Sequence, residues 1–260
     1  MTPILLLGAG RMGGALIAGW RRSGAFAMGE LMIRDPAPGP EALGSGAELN
    51  PDAAALGRAK TVVVAVKPQI WREAAAPVAP DLAADAIVVS IAAGVPLAAL
   101  AEVFAGRRIA RVMPTTAAAI GQGTASVCAP DPEARARAHA LFAPVGAVVD
   151  LEDEALMHAA TAVSGSGPAY LYAFVEALEA AARVAGLSPG AASTLARKTV
   201  VGAAALLGAG EDPAALRRQV TSPGGTTEAA LAVLMGKGGL GPLLRAAVEA
   251  AARRSEELGA

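Results

Sequence analysis

The chain has 260 residues, enough for one large or two modest domains at roughly 150 residues each. Its 22 Lys and Arg balance 23 Asp and Glu, leaving a net charge of −1, so neither a nucleic-acid-binding basic excess nor an acidic tail is present. With 54% apolar residues, 17% charged and 30 glycines, the composition excludes a disordered protein and points to apolar surface hidden in a homo-oligomer.

Strands and helices alternate through the first half. The apolar run Ile4 to Leu7 ends in glycine and reads as a buried parallel strand. Met12 to Ser23 has helical spacing. Further strands are expected over Glu30 to Arg34, Thr61 to Val66, Ala86 to Ile91 and Arg108 to Met113, with weaker ones over Thr124 to Cys128 and Ala147 to Leu151. Ile70 to Leu82 and Leu97 to Phe104 suit crossover helices, and Pro36 to Gly46 reads as a Pro/Gly-rich loop. This alternation predicts an α/β, mostly parallel, doubly wound sheet.

From Glu152 the strand signals stop. Ser188-Pro189 and Asp212-Pro213 each supply a helix cap followed by a proline at the first helical position. Gly186 can end the helix that begins near Ala169. Helices are also expected over Thr227 to Met235 and Pro242 to Leu258. The predicted division is therefore residues 1–150, α/β, and residues 151–260, all-helical.

Lone Cys128 excludes a disulfide framework, and with only His139 and His158 no metal site is expected. Both histidines read as structural. The apolar start is too short for a signal segment. The helix Ala169 to Gly186 carries Glu176, Glu179 and Arg183, which is wrong for a membrane span. A soluble, cytoplasmic protein with no membrane or nucleic-acid partner is expected.

Gly8-Ala9-Gly10-Arg11-Met12-Gly13 follows the first strand and opens a helix, the context that a dinucleotide fingerprint requires. Gly8 permits the turn, Gly10 lets backbone approach a pyrophosphate, and Gly13 lets helix and strand pack closely. The second strand ends in Arg34-Asp35. An acidic residue there suits a ribose 2′-hydroxyl, and an arginine suits a 2′-phosphate; both stand here, so NADPH and NADH remain open. Val66-Lys67-Pro68 and Ala92-Ala93-Gly94 follow later strands, where the carboxyl ends of a parallel sheet form the ligand crevice. In the helical half, Ser164 to Tyr170 precedes a helix that its hydroxyls and amides can cap. Val220-Thr221-Ser222-Pro223-Gly224-Gly225-Thr226-Thr227 joins two helices. Its four hydroxyls and two glycines at a helix start predict a cradle for a carboxylate or phosphate.

That eight-residue segment resembles the signature of pyrroline-5-carboxylate reductases, which close proline biosynthesis. Gly8 to Gly13, Ala65 to Gln69, Arg111 to Pro114 and Ser164 to Tyr170 match in the family's order and span nearly the whole chain. The resemblance implies an N-terminal Rossmann domain followed by a helical dimerisation domain, with some members stacking dimers into decamers. It implies an oxidoreductase of amino-acid biosynthesis that reduces L-1-pyrroline-5-carboxylate to L-proline with NADPH or NADH. Gly8, Ala9, Gly10, Arg11, Met12, Gly13, Arg34, Asp35, Val66, Lys67, Pro68, Ala92, Ala93 and Gly94 would hold the cofactor. Ser222, Gly224, Gly225, Thr226 and Thr227 would hold the substrate, with Thr227 the candidate proton donor to its nitrogen. The chain departs from the family at Thr115 to Ala117, where Asn-Thr-Pro is usual, and also at Asp212 and Ala180. The competing readings are another imine reductase and a β-hydroxyacid dehydrogenase, for which Lys198 would be the catalytic lysine.

Overall fold

The structure is a computed structural model, and residues 1–258 are described. Among them, two compact units are distinguished: Met1–Gly165 with the chain from Ala251 onward, and Ser166–Ala250.

The first unit is built on one sheet. Its strands are β1 (Ile4–Leu7), β2 (Leu31–Arg34), β3 (Glu48–Leu49), β4 (Thr61–Val64), β5 (Ile87–Ser90), β6 (Ile109–Pro114), β7 (Gly123–Cys128) and β8 (Gly146–Asp150). They lie in the order β3-β2-β1-β4-β5-β6-β7-β8. Every neighbouring pair is parallel except β6 and β7, which run antiparallel. The order reverses between β1 and β4, so the crevice for a ligand opens beyond the carboxyl ends of those two strands.

Around the sheet run α1 (Arg11–Ser23), α2 (Pro40–Leu43), α3 (Ala53–Leu56), α4 (Trp71–Ala75), α5 (Leu97–Val103), α6 (Pro132–Phe142) and α7 (Leu156–Ala160). Strand residues alternate between two core layers, as a pleated strand requires. Ile4, Leu6 and Ile33 pack with Leu16, Ile17 and Trp20 of α1 and Phe142 of α6. Leu5, Leu7 and Met32 pack with Trp71 of α4, Leu100 of α5 and Phe104. Each such buried side chain contributes about 1.5–3 kcal/mol. Trp20 keeps its polar end satisfied, its Nε1–H donating to the Leu141 carbonyl at 2.8 Å.

The fold class expected from the sequence is the one observed. Local readings need correction. The two-residue β3 was not foreseen, and α2 gives one helical turn inside the segment read as loop. The single helix expected over Ile70 to Leu82 is instead a 3₁₀ turn at Pro68–Ile70, the five-residue α4, and a second 3₁₀ turn at Ala79–Asp81. Pro77 and Pro80 explain this, because neither has an N–H to continue the helical ladder. Ser164 does not cap the helix after it: its hydroxyl donates back to the Ala160 carbonyl at 2.8 Å, inside a π-helical turn over Thr161–Gly165.

A buried ion pair braces this unit. Arg111 on β6 is buried, its side chain 4% exposed, and Nη1 donates to Glu154 Oε1 at 2.8 Å. The same oxygen accepts the Leu97 N–H at 2.8 Å, so Glu154 caps α5 from 57 residues away. Removing one partner of a buried pair costs about 3–5 kcal/mol. Glu154 is 30% exposed, which favours the lower end. Glu154→Ala should therefore destabilise the protein by roughly 3 kcal/mol in chemical unfolding, and Glu154→Gln by less. Equal stability of Glu154→Ala and wild type would show that the brace contributes nothing.

The second unit comprises α8 (Gly167–Val184), α9 (Pro189–Gly208), α10 (Pro213–Gln219), α11 (Thr226–Leu234) and the first part of α12 (Leu240–Glu257). The two foreseen caps are in place: Ser188 Oγ accepts from Ala191 N–H at 3.3 Å, and Asp212 Oδ2 from Ala215 N–H at 2.8 Å. Gly186 takes φ +98° just past α8. α8 and α9 pack together and are joined through Glu179, which accepts from Arg197 Nε at 2.9 Å and Ser193 Oγ at 3.2 Å. Arg197 and Ser193 hold the Glu179 carboxyl below its ordinary pKa, the Arg197 hydrogen bond being the largest cause. The unit buries little within one chain. No residue of α8 or α11 is buried, and of α9 only Ala192 and Ala196 are. Leu171 is 56% exposed, Val201 64% and Val233 77%.

Candidate functional site

The fingerprint has the geometry that its three glycines permit. Gly8 takes φ +95°, and a Cβ there would lie 2.7 Å from Val66 Cγ1. A Cβ on Gly13 would run into the Gly8 carbonyl oxygen. A Cβ on Gly10 would meet nothing, because Gly10 faces the open crevice. Two positions are thus closed by packing, and the third leaves room for a ligand against backbone. The Gly14 N–H donates to the Gly10 carbonyl at 2.7 Å, so the helical ladder starts there and the earlier amides point outward.

The crevice is a cavity of about 450 Å³, lined by Gly8, Gly10, Arg11, Met12, Asp35, Val66, Lys67, Pro68 and Ala93. A second cavity of about 480 Å³ continues past Gly8 and Val66 to Arg34, Asp35 and Glu73. Ala9 and Gly13 line neither. Ala9 instead donates its N–H to Asp35 Oδ2 at 2.6 Å. Ala92 is buried after β5, and Gly94 turns the chain at φ +79°. The two hollows share Gly8, Asp35 and Val66 in their linings and together suit a dinucleotide: glycine and alanine contribute to the lining, and the positive end of α1 faces the crevice.

Gly13→Ala should weaken cofactor binding by about fivefold or more, because about 1–3 kcal/mol of overpacking must displace the Gly8 carbonyl. Titration of the protein with NADH checks this, and unchanged affinity would refute the packing account.

In the helical unit, Ser222 to Gly225 forms a tight turn closed by Gly225 N–H donating to the Ser222 carbonyl at 3.0 Å. Pro223 sits at its second position and Gly224 at its third with φ +70°, the arrangement a type II turn favours. Gly225 then begins α11 with no side-chain cap. Of the four hydroxyls, Thr221 is used internally, donating to the Arg217 carbonyl at 2.6 Å. Those of Ser222, Thr226 and Thr227 make no hydrogen bond among the described residues. The turn therefore offers three spare hydroxyls beside first-turn amides that have no intrahelical acceptor.

Several contributors escaped sequence reading. Asn50, at φ +47°, accepts the Asp35 N–H on Oδ1 at 3.0 Å. Glu228 Oε2 accepts the Gly224 N–H at 2.7 Å and holds the turn. Glu228 stands at the third position of α11, but the N-cap is Gly225 rather than Ser or Thr, so the sequence carries no capping-box signature there. Thr115, the departure nearest the crevice, is buried and accepts the Thr124 N–H on Oγ1 at 3.0 Å, bracing β7.

The remaining polar candidates are structural. His139 pairs with Asp150 at 3.0 Å on the surface. His158 Nδ1 lies 3.0 Å from the buried Ser255 hydroxyl. The Cys128 thiol is buried, and desolvation, with the Glu154 charge next, raises its pKa. Lys198 is exposed on α9. No cluster of His, Cys, Asp or Glu among the described residues could hold a metal, and none of the described helices is long and apolar enough to cross a membrane.

The pyrroline-5-carboxylate reductase of Pseudomonas aeruginosa is 40% identical to this chain, covering 99% of it and 97% of the relative. The chain belongs to the pyrroline-5-carboxylate reductase family. Residues 154–258 match the family model described as pyrroline-5-carboxylate reductase dimerisation, and residues 3–94 the one described as NADP oxidoreductase coenzyme F420-dependent. The Pisum sativum enzyme is 36% identical over 97% of this chain and 94% of its own. The Coxiella burnetii pyrroline-5-carboxylate reductase structure superposes with a TM-score of 0.89 at 30% identity, covering 100% and 99% of the two chains. The Plasmodium falciparum pyrroline carboxylate reductase, solved with NADP bound, gives 0.86 at 27% identity, covering 100% and 98%. Family membership sets aside the β-hydroxyacid dehydrogenase reading.

Proposed function

We infer that this chain reduces L-1-pyrroline-5-carboxylate to L-proline with NADH or NADPH, as the last step of proline biosynthesis. The observation that carries the residue-level reading is the turn at Ser222 to Thr227, with its spare hydroxyls at the start of α11. A substrate with one carboxylate and one ring nitrogen needs that kind of cradle. Gly8 to Gly13, Arg34, Asp35, Val66 to Pro68 and Ala92 to Gly94 are assigned to the cofactor. Ser222, Gly224, Gly225, Thr226 and Thr227 are assigned to the substrate. The cofactor role is assigned to residues 1–150 and the substrate and dimerisation role to residues 151–260, although residues 151–165 and the chain from Ala251 belong to the first compact unit.

The cofactor, when bound, supplies the hydride that adds to the imine carbon. The protein's tasks are orientation and proton management. The α11 amides and the Ser222 and Thr226 hydroxyls fix the carboxylate, which holds the ring in one register. The Thr227 hydroxyl bonds the ring nitrogen. A threonine hydroxyl is a weak acid, so it acts first as a hydrogen-bond partner and second as a relay for the proton that the nitrogen gains. Adding hydride to carbon and a proton to nitrogen balances the conversion of imine to amine.

The homo-oligomer implied by the dimerisation match is assigned as a homodimer, with dimers stacking into a homodecamer, acting on a small molecule in the cytoplasm. Loss of reduced-cofactor absorbance on adding pyrroline-5-carboxylate, with proline as product, tests the reading. Cofactor binding without turnover would leave a nucleotide-binding regulator in its place.

A further inference from the structure

We propose that Asp35 makes this enzyme selective for NADH over NADPH, its carboxylate accepting the ribose hydroxyls and rejecting a 2′-phosphate. The inference rests on the cofactor reading above and deepens it.

The sequence left this choice open because Arg34 and Asp35 pull in opposite directions. The structure separates them. Asp35 is held on every side. Its Oδ2 accepts the Ala9 N–H at 2.6 Å, and its Oδ1 accepts the Ala37 N–H at 2.8 Å. Its own N–H donates to Asn50 Oδ1 at 3.0 Å, and Asn50 is fixed in turn by donating its N–H to the Ile33 carbonyl at 2.7 Å. The carboxylate thus sits against the fingerprint loop and cannot swing aside. Each oxygen accepts one amide and retains a lone pair, so it can still take a ribose hydroxyl. A hydroxyl can donate to such an oxygen. A phosphate carrying about −1.5 to −2 charge near neutral pH only accepts, and it meets like charge at a fixed position.

Arg34 is placed differently. Arg34 is the last residue of β2, whereas Asp35 lies just past the strand and turns back onto the fingerprint loop. The Arg34 side chain is exposed and makes no hydrogen bond or ion pair among the described residues. It lines the outer cavity with Ile70 and Glu73. That cavity carries Asp35 and Glu73 against the single cation Arg34, so the net charge around the adenosine end is negative. Arg34 shares the cavity with Asp35 but makes no ion pair with it; the carboxylate is bonded instead to the Ala9 and Ala37 amides.

The test is direct titration of the protein with NADH and with NADPH, without pyrroline-5-carboxylate, following cofactor fluorescence. Wild type should bind NADH at least tenfold more tightly, as expected for one charge-dependent contact. Asp35→Ser should tighten NADPH and weaken NADH, bringing the two together. Asp35→Asn keeps an acceptor for one of the two amides and removes the charge, so it should shift the ratio the same way even if the serine variant folds poorly. Arg34→Ala should move the ratio less than either. Equal or tighter binding of NADPH by wild type would overturn the proposal. So would a ratio unmoved in Asp35→Asn. Binding of neither cofactor would overturn this inference and the cofactor reading together, whereas NADH-selective binding without turnover on pyrroline-5-carboxylate would support this one and overturn only the activity.

Discussion

Thr227→Ala should lower turnover of pyrroline-5-carboxylate by more than tenfold while leaving cofactor affinity essentially intact. The effect follows from one lost hydrogen bond to a nitrogen that becomes charged, about 1.5–3 kcal/mol, or roughly 10- to 150-fold in rate. The fold should not suffer. The Thr227 hydroxyl has no partner among the described residues, α11 starts at Gly225 without a side-chain cap, and alanine is the better helix former. A fall in kcat with an unchanged melting temperature is the expected signature. Wild-type kinetics in this variant would remove Thr227 from the mechanism.

Val201→Arg should abolish the proposed homodimer, and catalysis with it. Within one chain α8, α9 and α11 leave Leu171, Val201 and Val233 mostly exposed. With no residue of α8 or α11 buried within one chain, such apolar side chains call for cover from a partner. An obligate seam of roughly 2,000–5,000 Å² would cover them, so stability should rise with protein concentration. Of two other positions on α9, Ala204 is exposed and Val200 half-buried, so Ala204→Arg should act like Val201→Arg and Val200→Arg should also strain the chain itself. Sedimentation at low micromolar concentration reads the outcome. A single, fully active monomer in the wild type would contradict the assignment.

The sheet was legible because β1, β2, β4, β5 and β6 are short apolar runs ending at turn residues, and such runs declare buried parallel strands. The glycines of the fingerprint and the caps Ser188 and Asp212 were legible because their chemistry is local. What escaped depends on distance or on competition. β3 has two residues, one of them Glu48, and exists because β2 offers it an edge. The broken helix after Pro68 lost to its own prolines. Glu154 reaches Leu97 and Arg111 across 57 and 43 residues, which no spacing rule can reveal. The candidate site divides the same way. Residue types at Gly8 to Gly13 and Val220 to Thr227 named the chemistry, but the anchoring of Asp35 by Ala9, Ala37 and Asn50 emerged only from the folded chain.

The most direct measurement is oxidation of NADH by the purified protein with pyrroline-5-carboxylate, quantifying proline in the same mixture. One proline should form for each NADH consumed, and omission of the substrate should stop cofactor oxidation. Tight NADH binding with no proline formed would contradict the account at its centre.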